Sequence, residues 1–133
     1  MKREPKWIDK RALLLLHEES LAMFGGARGM VDEGLLDSAL GRPRNQYLYD
    51  KTGDIAGLAA AYGFDIAKNH AFVDGNKRAA FMAIGLFLAL NRKRLRAHPV
   101  DAIQTIMALA SDRLSEIELA AWIRANITTS RGA

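Results

Sequence analysis

The chain has 133 residues and a mass of 14.7 kDa, the size of one ordinary domain, so we expect a single domain over residues 1–133. With 50% hydrophobic and 26% charged residues, the composition excludes a disordered or low-complexity chain, and the lack of cysteine excludes disulfides, cysteine-ligated zinc and a thiol nucleophile. The net charge of +4 permits an anionic partner such as nucleic acid, nucleotide phosphate or an acidic protein, and selects none of them.

The first part of the chain predicts helices separated by glycine and proline. One helix is expected from about Lys10 to Phe24, because Asp9 is a favourable N-cap and Gly25 and Gly26 end the helical pattern. A second, short helix is expected from Asp32 to near Gly41, before Pro43.

The segment from Arg42 to Gly53 has a different composition, with proline, asparagine, tyrosine and a closing Lys-Thr-Gly turn. It predicts an exposed loop or a short hairpin ahead of the third helix. The third helix is expected from its N-cap Asp54 to about Asn69, since apolar residues recur there at helical spacing.

The fourth helix is expected from near Gly75 to about Asn91. It is apolar nearly all round, which predicts a buried position at the centre of the fold. Its apolar run, residues 79–90, is too short to cross a bilayer, and no secretion signal is visible at the N-terminus. We therefore expect a cytoplasmic protein that does not associate with a membrane.

The last third of the sequence predicts two more helices after a basic turn at residues 92–96. Pro99 opens a helix that ends near Ser111, and Ser115 with Glu118 forms a capping box for a helix that ends near Asn126. Residues 128–133 are expected to form a frayed tail. No segment shows the alternation typical of a strand, so the predicted fold class is all-α.

The stretch from His70 to Arg78 carries the most chemistry in the sequence. Within nine residues it offers an imidazole, a carboxylate, a glycine, an amide and two cations, and it then enters the apolar fourth helix. The first N–H groups of a helix have no partners within the helix and attract anions, most often phosphate. Gly75 lets the backbone approach an anion closely, and Lys77 and Arg78 add positive charge.

Two further side chains point to a group-transfer reaction. Asp74 would repel a phosphate unless a cation bridged them, and Mg²⁺ bound by a carboxylate and by phosphate oxygens has this role. An imidazole such as His70 is the usual general base for a hydroxyl. Each residue alone is also typical of a helix cap or a turn. Their joint occurrence at one helix N-terminus favours transfer of a group from a nucleotide to a protein hydroxyl.

The stretch resembles the Fic motif, His-x-Phe-x-(Asp/Glu)-Gly-Asn-(Gly/Lys)-Arg. The matching residues are His70, Phe72, Asp74, Gly75, Asn76 and Arg78. Most Fic proteins have glycine where this chain has Lys77, and lysine there marks the Doc (death-on-curing) branch. The resemblance extends through Leu16-His17-Glu18, Phe24-Gly25-Gly26 and residues 32–43, and so covers nearly the whole chain. It implies a compact six-helix Fic-type bundle with a buried central helix.

The resemblance to Doc toxins implies the toxin of a type II toxin–antitoxin pair, acting as a protein kinase with ATP and Mg²⁺ as cofactors. The γ-phosphate of ATP would pass to a threonine of elongation factor Tu, which arrests translation. His70 would deprotonate the hydroxyl, Asp74 would hold Mg²⁺, and Phe72 would anchor the loop. The phosphates would be bound by Gly75, Asn76, Lys77 and Arg78.

The resemblance also implies partners. A Phd-like antitoxin would fold its disordered C-terminal segment onto a groove of the toxin, and nucleic acid would be contacted only indirectly, through that antitoxin. The resemblance further implies that the segment from Arg42 to Gly53 is a flap that positions the target protein, with Arg42 and Tyr47 as candidate contacts.

Two alternatives stay open. The chain could transfer AMP, as most Fic enzymes do; those enzymes carry a second arginine three positions after the first, and here that position is Phe81. Alternatively, the chain could be a binding module without enzymatic activity, in which case its function would survive the loss of His70. His17 is expected to be a partly exposed helix residue, and neither it nor His98 is assigned a role.

Overall fold

The computed structural model describes residues 3–50 and 53–130. Within them the chain forms six α-helices and two short β-strands: α1 (Lys10–Phe24), α2 (Glu33–Asp50), α3 (Ile55–Asn69), α4 (Asn76–Leu90), β1 (Lys93–Leu95), α5 (Pro99–Ala110), α6 (Glu116–Asn126) and β2 (Ile127–Thr129). The predicted all-α class is confirmed, and all the helices except α2 have the predicted boundaries to within one or two residues.

The predicted N-caps explain why these boundaries are sharp. Asp9 accepts a hydrogen bond from the Arg11 amide at the start of α1, and Asp54 accepts one from the Gly57 amide at the start of α3. Ser115 forms a reciprocal capping box at the start of α6. Each cap satisfies N–H groups that have no partner within the helix, so the start of the helix is fixed locally.

Helices α3 and α4 form the centre of the molecule. α3 is buried along most of its length, because its many alanines let α2, α4 and α6 pack closely around it. α4 contributes Ile84, Phe87 and Leu88 to the core, whereas its Phe81 is 38% exposed. One apolar side of α4 therefore faces away from the core. No helix in the described ranges is both long enough and apolar enough to cross a membrane.

The predicted end of α2 at Gly41 is wrong, and so is the flap predicted from Arg42 onward. The structure continues α2 through Pro43 to Asp50, while residues 51 and 52 lie outside the described residues. Proline removes one helical hydrogen bond, but Leu36, Ala39 and Pro43 are all buried and recur at helical spacing. Tyr47 continues this stripe against the core. Burial of the stripe outweighs the cost of the proline.

The prediction that the chain has no strands is also wrong. β1 pairs with β2 in an antiparallel arrangement, with Lys93 opposite Thr129 and Leu95 opposite Ile127. The expected basic turn and frayed tail therefore contain strand residues, because β-branched Ile127 and its neighbours pair well in a strand and Leu95 and Ile127 pack against the core. Residues 131–133 lie outside the described part of the chain.

The segment ahead of α1 lies across the core. The Ile8 amide donates to the Tyr62 hydroxyl at 3.2 Å, and the Trp7 ring stacks on Phe87 with centroids 5.9 Å apart. The Asn91 side chain bonds both the N–H and the C=O of Lys6, at 2.8 and 3.0 Å. These contacts join the start of the chain to the end of α4.

Candidate active site

The motif from His70 to Arg78 forms the connection between α3 and α4 and the first turn of α4. His70 ends α3 as its C-cap, in the left-handed region with φ of 51°, and its side chain is exposed. Ala71 and Phe72 are buried, and the chain returns to the surface at Val73. The loop is thus anchored in the core at Phe72, as predicted, and presents the imidazole of His70 to solvent.

A second loop, residues 25–31 after α1, lies against the motif. The Val31 amide donates to the Ala71 carbonyl at 2.7 Å, and the Val73 amide donates to the Gly29 carbonyl at 3.0 Å. Met30 and Phe72 therefore face each other as an antiparallel bridge. In this pattern the N–H and C=O groups of Met30 are directed away from Phe72. The backbone around Met30 is thus extended and lies beside the motif loop that begins at His70. The sequence predicted no extended segment there.

The Asn76 side chain holds the motif loop closed. Its Oδ1 accepts from the Phe72 amide at 3.0 Å, and its Nδ2 donates to the Phe72 carbonyl at 2.9 Å. In the bridge with Met30, the backbone N–H and C=O of Phe72 are directed away from Met30. The Asn76 carboxamide pairs with these two groups, as a neighbouring strand would. Asn76 was expected to bind phosphate. In the structure its side chain holds the motif loop in shape, and its backbone N–H is among the first N–H groups of α4.

The carboxylate of Asp74 is exposed and bound by two backbone amides. Oδ2 accepts from the Ala27 amide at 3.1 Å, and Oδ1 accepts from the Gly75 amide at 2.8 Å. These two hydrogen bonds, with the nearby charge of Arg78 acting in the same direction, hold the pKa of the Asp74 carboxyl below its ordinary value. Asp74 is therefore ionised at neutral pH and retains lone pairs that these two amides do not use.

Gly75 is the N-cap of α4, in the left-handed region with φ of 77°, and no side chain in the described part of the chain caps the helix. The first N–H groups of α4 consequently have no partner within the helix, and the positive end of the helix dipole lies at the same place. Lys77, on the first turn, has an exposed side chain. This helix end combines the first N–H groups of α4 with the exposed ammonium group of Lys77, as an anion site requires.

Arg78, a candidate phosphate ligand, also stabilises the fold. Its Nη1 donates to the carbonyl and to the hydroxyl of Ser20, both at 3.1 Å, and its Nη2 donates to the Gly25 carbonyl at 3.0 Å. These bonds use three of the five guanidinium N–H groups and tie α4 to the end of α1. The remaining two N–H groups are those that a phosphate could engage.

Arg42 and Tyr47, the candidate target contacts, lie on α2 and not on a flap. The Arg42 guanidinium binds Asp65 at 2.8 Å and Glu116 at 2.6 Å, which joins α2 to α3 and α6. The Tyr47 ring meets Trp7 edge-on with centroids 5.7 Å apart. Both side chains are thus engaged in packing the helices together, and the structure does not bring them into the motif loop.

Sequence reasoning missed two parts of the site. The first is His17, expected to be partly exposed but only 5% exposed, with Nε2 2.8 Å from the Asp74 carbonyl oxygen. Its spacing from Leu13 and Leu21 on the buried face of α1 was the available signal. The second is the glycine-rich loop. A Cβ on Gly26 would lie 2.6 Å from Leu21 Cδ2 and 3.0 Å from Asp74 Oδ2, so only glycine fits there.

An apolar groove of about 840 Å³ begins at Lys77 and Arg78 and follows the outward side of α4. Its walls come from β1 and α5, and its lining includes Phe81, Ile103 and Met107. The last two are 60% and 53% exposed. The groove therefore presents large apolar side chains to solvent directly beside the anion site.

Comparison with known proteins identifies the family to which the chain belongs. The Fic/DOC family matches residues 7–88, which span α1 to α4. The protein named "Protein kinase doc" from Escherichia phage P1 is 31% identical over 105 residues, covering 79% of this chain and 83% of the relative. The protein named "Toxin Doc" from Mycolicibacterium smegmatis (strain ATCC 700084 / mc(2)155) is 38% identical over 97 residues, covering 71% and 75%. The chain therefore belongs to the Fic/DOC family, and the Doc proteins are relatives that it resembles along most of its length.

Proposed function

We propose that this chain is a Doc-type toxin that acts as a protein kinase, transferring the γ-phosphoryl group of ATP to a hydroxyl of a translation factor such as elongation factor Tu. The observation that carries the proposal is Lys77, which lies on the uncapped first turn of α4, in the position that distinguishes Doc proteins from other Fic proteins. The name of the phage P1 relative, a protein kinase, supports the same reaction.

The phosphate groups of ATP would be bound by the start of α4. The N–H groups that follow Gly75 have no acceptor within the helix and would bind the phosphate oxygens, and the helix dipole favours their negative charge. Lys77 adds a flexible cation. Arg78 adds the two guanidinium N–H groups that do not donate to Ser20 or Gly25. Asn76 contributes its backbone N–H, while its side chain keeps the loop in shape.

The donor set fits a Mg²⁺ ion that is bound together with ATP. Among the described residues no group of three or more His, Asp or Glu side chains could hold a metal alone. Mg²⁺ with nucleotides commonly takes only one or two carboxylates and completes its ligands with phosphate oxygens and water. Asp74 is an ionised, exposed carboxylate beside the phosphate site and would hold the ion. Bound Mg²⁺ would offset the charge that develops on the phosphates.

His70 would act as the general base. Its exposed imidazole would take the proton of the target hydroxyl, whose oxygen bonds to the γ-phosphorus while the bond to the bridging oxygen breaks and ADP leaves. The target chain would lie along residues 29–31, because the N–H and C=O of Met30 are directed away from Phe72 and can pair with an added strand. In this proposal the segment takes the positioning role that the resemblance implied for Arg42 and Tyr47.

The decisive experiment incubates the purified protein, Mg²⁺ and elongation factor Tu with ATP labelled on either the α- or the γ-phosphate. We expect label from the γ-phosphate alone, lost in His70→Ala and retained in His98→Ala. His98 is a matched control because it is an exposed histidine that caps α5 through Val100, outside the motif. Label from the α-phosphate would instead establish AMP transfer. Absence of label with toxicity that persists in His70→Ala would establish a binding module.

We propose further that an antitoxin restrains this activity by occupying the apolar groove beside α4. The groove offers Phe81, Ile103 and Met107 to an apolar helix face, and Lys77 and Lys93 line it as cations that suit an acidic segment. A disordered segment that folds on binding would cover Lys77 and so block the phosphate site. The test is binding of a synthetic acidic peptide based on the C-terminal segment expected of a Phd-like antitoxin. Ile103→Asp should abolish binding, and Ile117→Asp, an exposed isoleucine outside the groove, should not.

A further inference from the structure

His17 is a buried histidine that the proposed reaction does not use. It lies on α1 and is 5% exposed, and with Ser20 it is one of two buried polar residues in the described part of the chain. Its ring stacks on Phe72, with centroids 3.8 Å apart and an angle of 21° between the ring planes. A histidine that is enclosed in this way is held in one orientation, so its ring nitrogens act at fixed positions.

The Nε2 atom of His17 carries a hydrogen. It lies 2.8 Å from the carbonyl oxygen of Asp74, and a carbonyl oxygen can only accept, so Nε2–H must donate. The same nitrogen would be 3.1 Å from a Cβ on Gly75, which shows how closely the ring approaches this peptide. His17 therefore binds the backbone of the motif at the point where the loop becomes α4.

The peptide unit between Asp74 and Gly75 is consequently held at both ends. His17 binds its C=O, and Oδ1 of Asp74 binds its N–H at 2.8 Å. Glycine at position 75 makes a rotation of this peptide by half a turn sterically cheap, because glycine adopts positive and negative φ about equally well. After such a rotation the carbonyl oxygen would face the Asp74 carboxylate, and the Gly75 N–H would lose its partner.

We infer that His17 is a positioning residue for the reaction, which holds the Asp74–Gly75 peptide in the one orientation that suits the phosphate and Mg²⁺ site. This inference rests on the proposed function for its catalytic meaning. When the peptide rotates, a carbonyl dipole replaces an N–H beside the anion site, and the Asp74 carboxylate loses one of its two backbone hydrogen bonds. Only the unrotated fraction of molecules can then bind ATP, so the apparent affinity falls by that fraction.

Three substitutions of His17 distinguish a positioning role of its hydrogen bond from a role in packing alone. His17→Phe keeps an aromatic ring against Phe72 and removes the donor. His17→Gln places an amide nitrogen where Nε2 lies, and His17→Asn places it where Nδ1 lies, too short to reach Asp74. If the hydrogen bond is what matters, the glutamine variant should behave like the parent chain and the other two should not.

The first readout does not depend on activity. Amide hydrogen exchange of Gly75, followed by NMR, should be faster by about tenfold in His17→Phe and His17→Asn, and within about threefold of the parent in His17→Gln, as expected for the loss of one hydrogen bond. The second readout is binding of a non-hydrolysable ATP analogue with Mg²⁺, whose Kd should rise by about the same factor. In turnover, KM for ATP should rise while kcat at saturation stays within about threefold.

The outcomes are distinguishable from a failure of the proposed function. If the parent chain binds no ATP analogue, the kinase proposal fails, and the exchange of Gly75 still decides the role of His17. Equal Gly75 exchange in folded His17→Phe and in the parent would overturn the inference. If His17→Phe does not fold, the Gln and Asn variants decide: protection in Gln alone supports the inference, and equal exchange in both overturns it.

Discussion

Replacing Arg42 tests whether this residue stabilises the fold or positions a target. Its guanidinium joins α2 to α3 through Asp65 and to α6 through Glu116, at 2.8 and 2.6 Å. The three side chains are 35%, 17% and 24% exposed. In Arg42→Ala the two carboxylates remain largely buried without their shared cation, so we expect the variant to be less stable.

The magnitude follows from this partial burial. Breaking a fully buried ion pair costs about 3–5 kcal/mol, whereas an exposed pair contributes about 0–1 kcal/mol. Because Arg42 is about one-third exposed, a value between these limits applies, and we expect a loss of about 2 kcal/mol. For a chain of this length each kcal/mol lowers Tm by about 3–4 °C, so Arg42→Ala should unfold about 7 °C below the parent.

The assay is thermal and urea unfolding of Arg42→Ala beside Arg44→Ala. Arg44 is the matched control, since it lies on the same helix and its nearest acidic atom, on Glu4, is 3.9 Å away at an exposed site. It should change stability by less than about 0.5 kcal/mol. Target phosphorylation by Arg42→Ala, measured well below its Tm, should show an unchanged KM for the target. A raised KM with an unchanged Tm would refute the reasoning and return Arg42 to the target site.

Three further predictions concern other parts of the structure. Gly26→Ala places a methyl group 2.6 Å from Leu21 Cδ2 on backbone with φ of 129°, so it should cost about 2 kcal/mol in urea unfolding; a neutral substitution would contradict the close approach. Asn76→Ala leaves two backbone groups of the motif unpaired and should cost about 2–3 kcal/mol, whereas retained stability with lost ATP binding would mean that the side chain binds phosphate directly. The bonds from Arg124 hold the pKa of the Asp54 carboxyl below its ordinary value of 3.8, so its stabilisation is present above that value and is lost as pH falls further. The stability difference between the parent and Asp54→Asn should therefore shrink from pH 6 to pH 3, and a constant difference would exclude this carboxyl as the cause.

The sequence predicted the helices whose ends carry a local signal. The N-caps Asp9, Asp54 and Ser115 act through their own neighbours in the chain, so their hydrogen bonds can be foreseen without tertiary structure. The motif was placed correctly on the loop into α4 for the same reason. Its family assignment, which the family match and the Doc relatives confirm, came from residues within nine positions of each other.

The features that were predicted wrongly all depend on contacts between residues that are far apart in the sequence. Pro43 ends a helix by local rules, and only its burial with Leu36 and Ala39 against α3 keeps α2 continuous. The strand β2 needs β1, more than thirty residues earlier. His17 becomes part of the site only through Asp74, 57 residues later. The order of residues along the chain does not reveal which distant residues will pair. The helical spacing of each apolar stripe indicated only that the stripe is buried.

The contacts of the segment ahead of α1 also set the order in which the chain can fold during synthesis. Lys6, Trp7 and Ile8 are synthesised before their partners Tyr62, Phe87 and Asn91, so the full set of contacts cannot form until residue 91 has been translated. β1 pairs only after Ile127–Thr129, which follow it by more than thirty residues, have been synthesised. The nascent chain can form single helices early, whereas the contacts that join these helices form only after residues far along the chain have been synthesised.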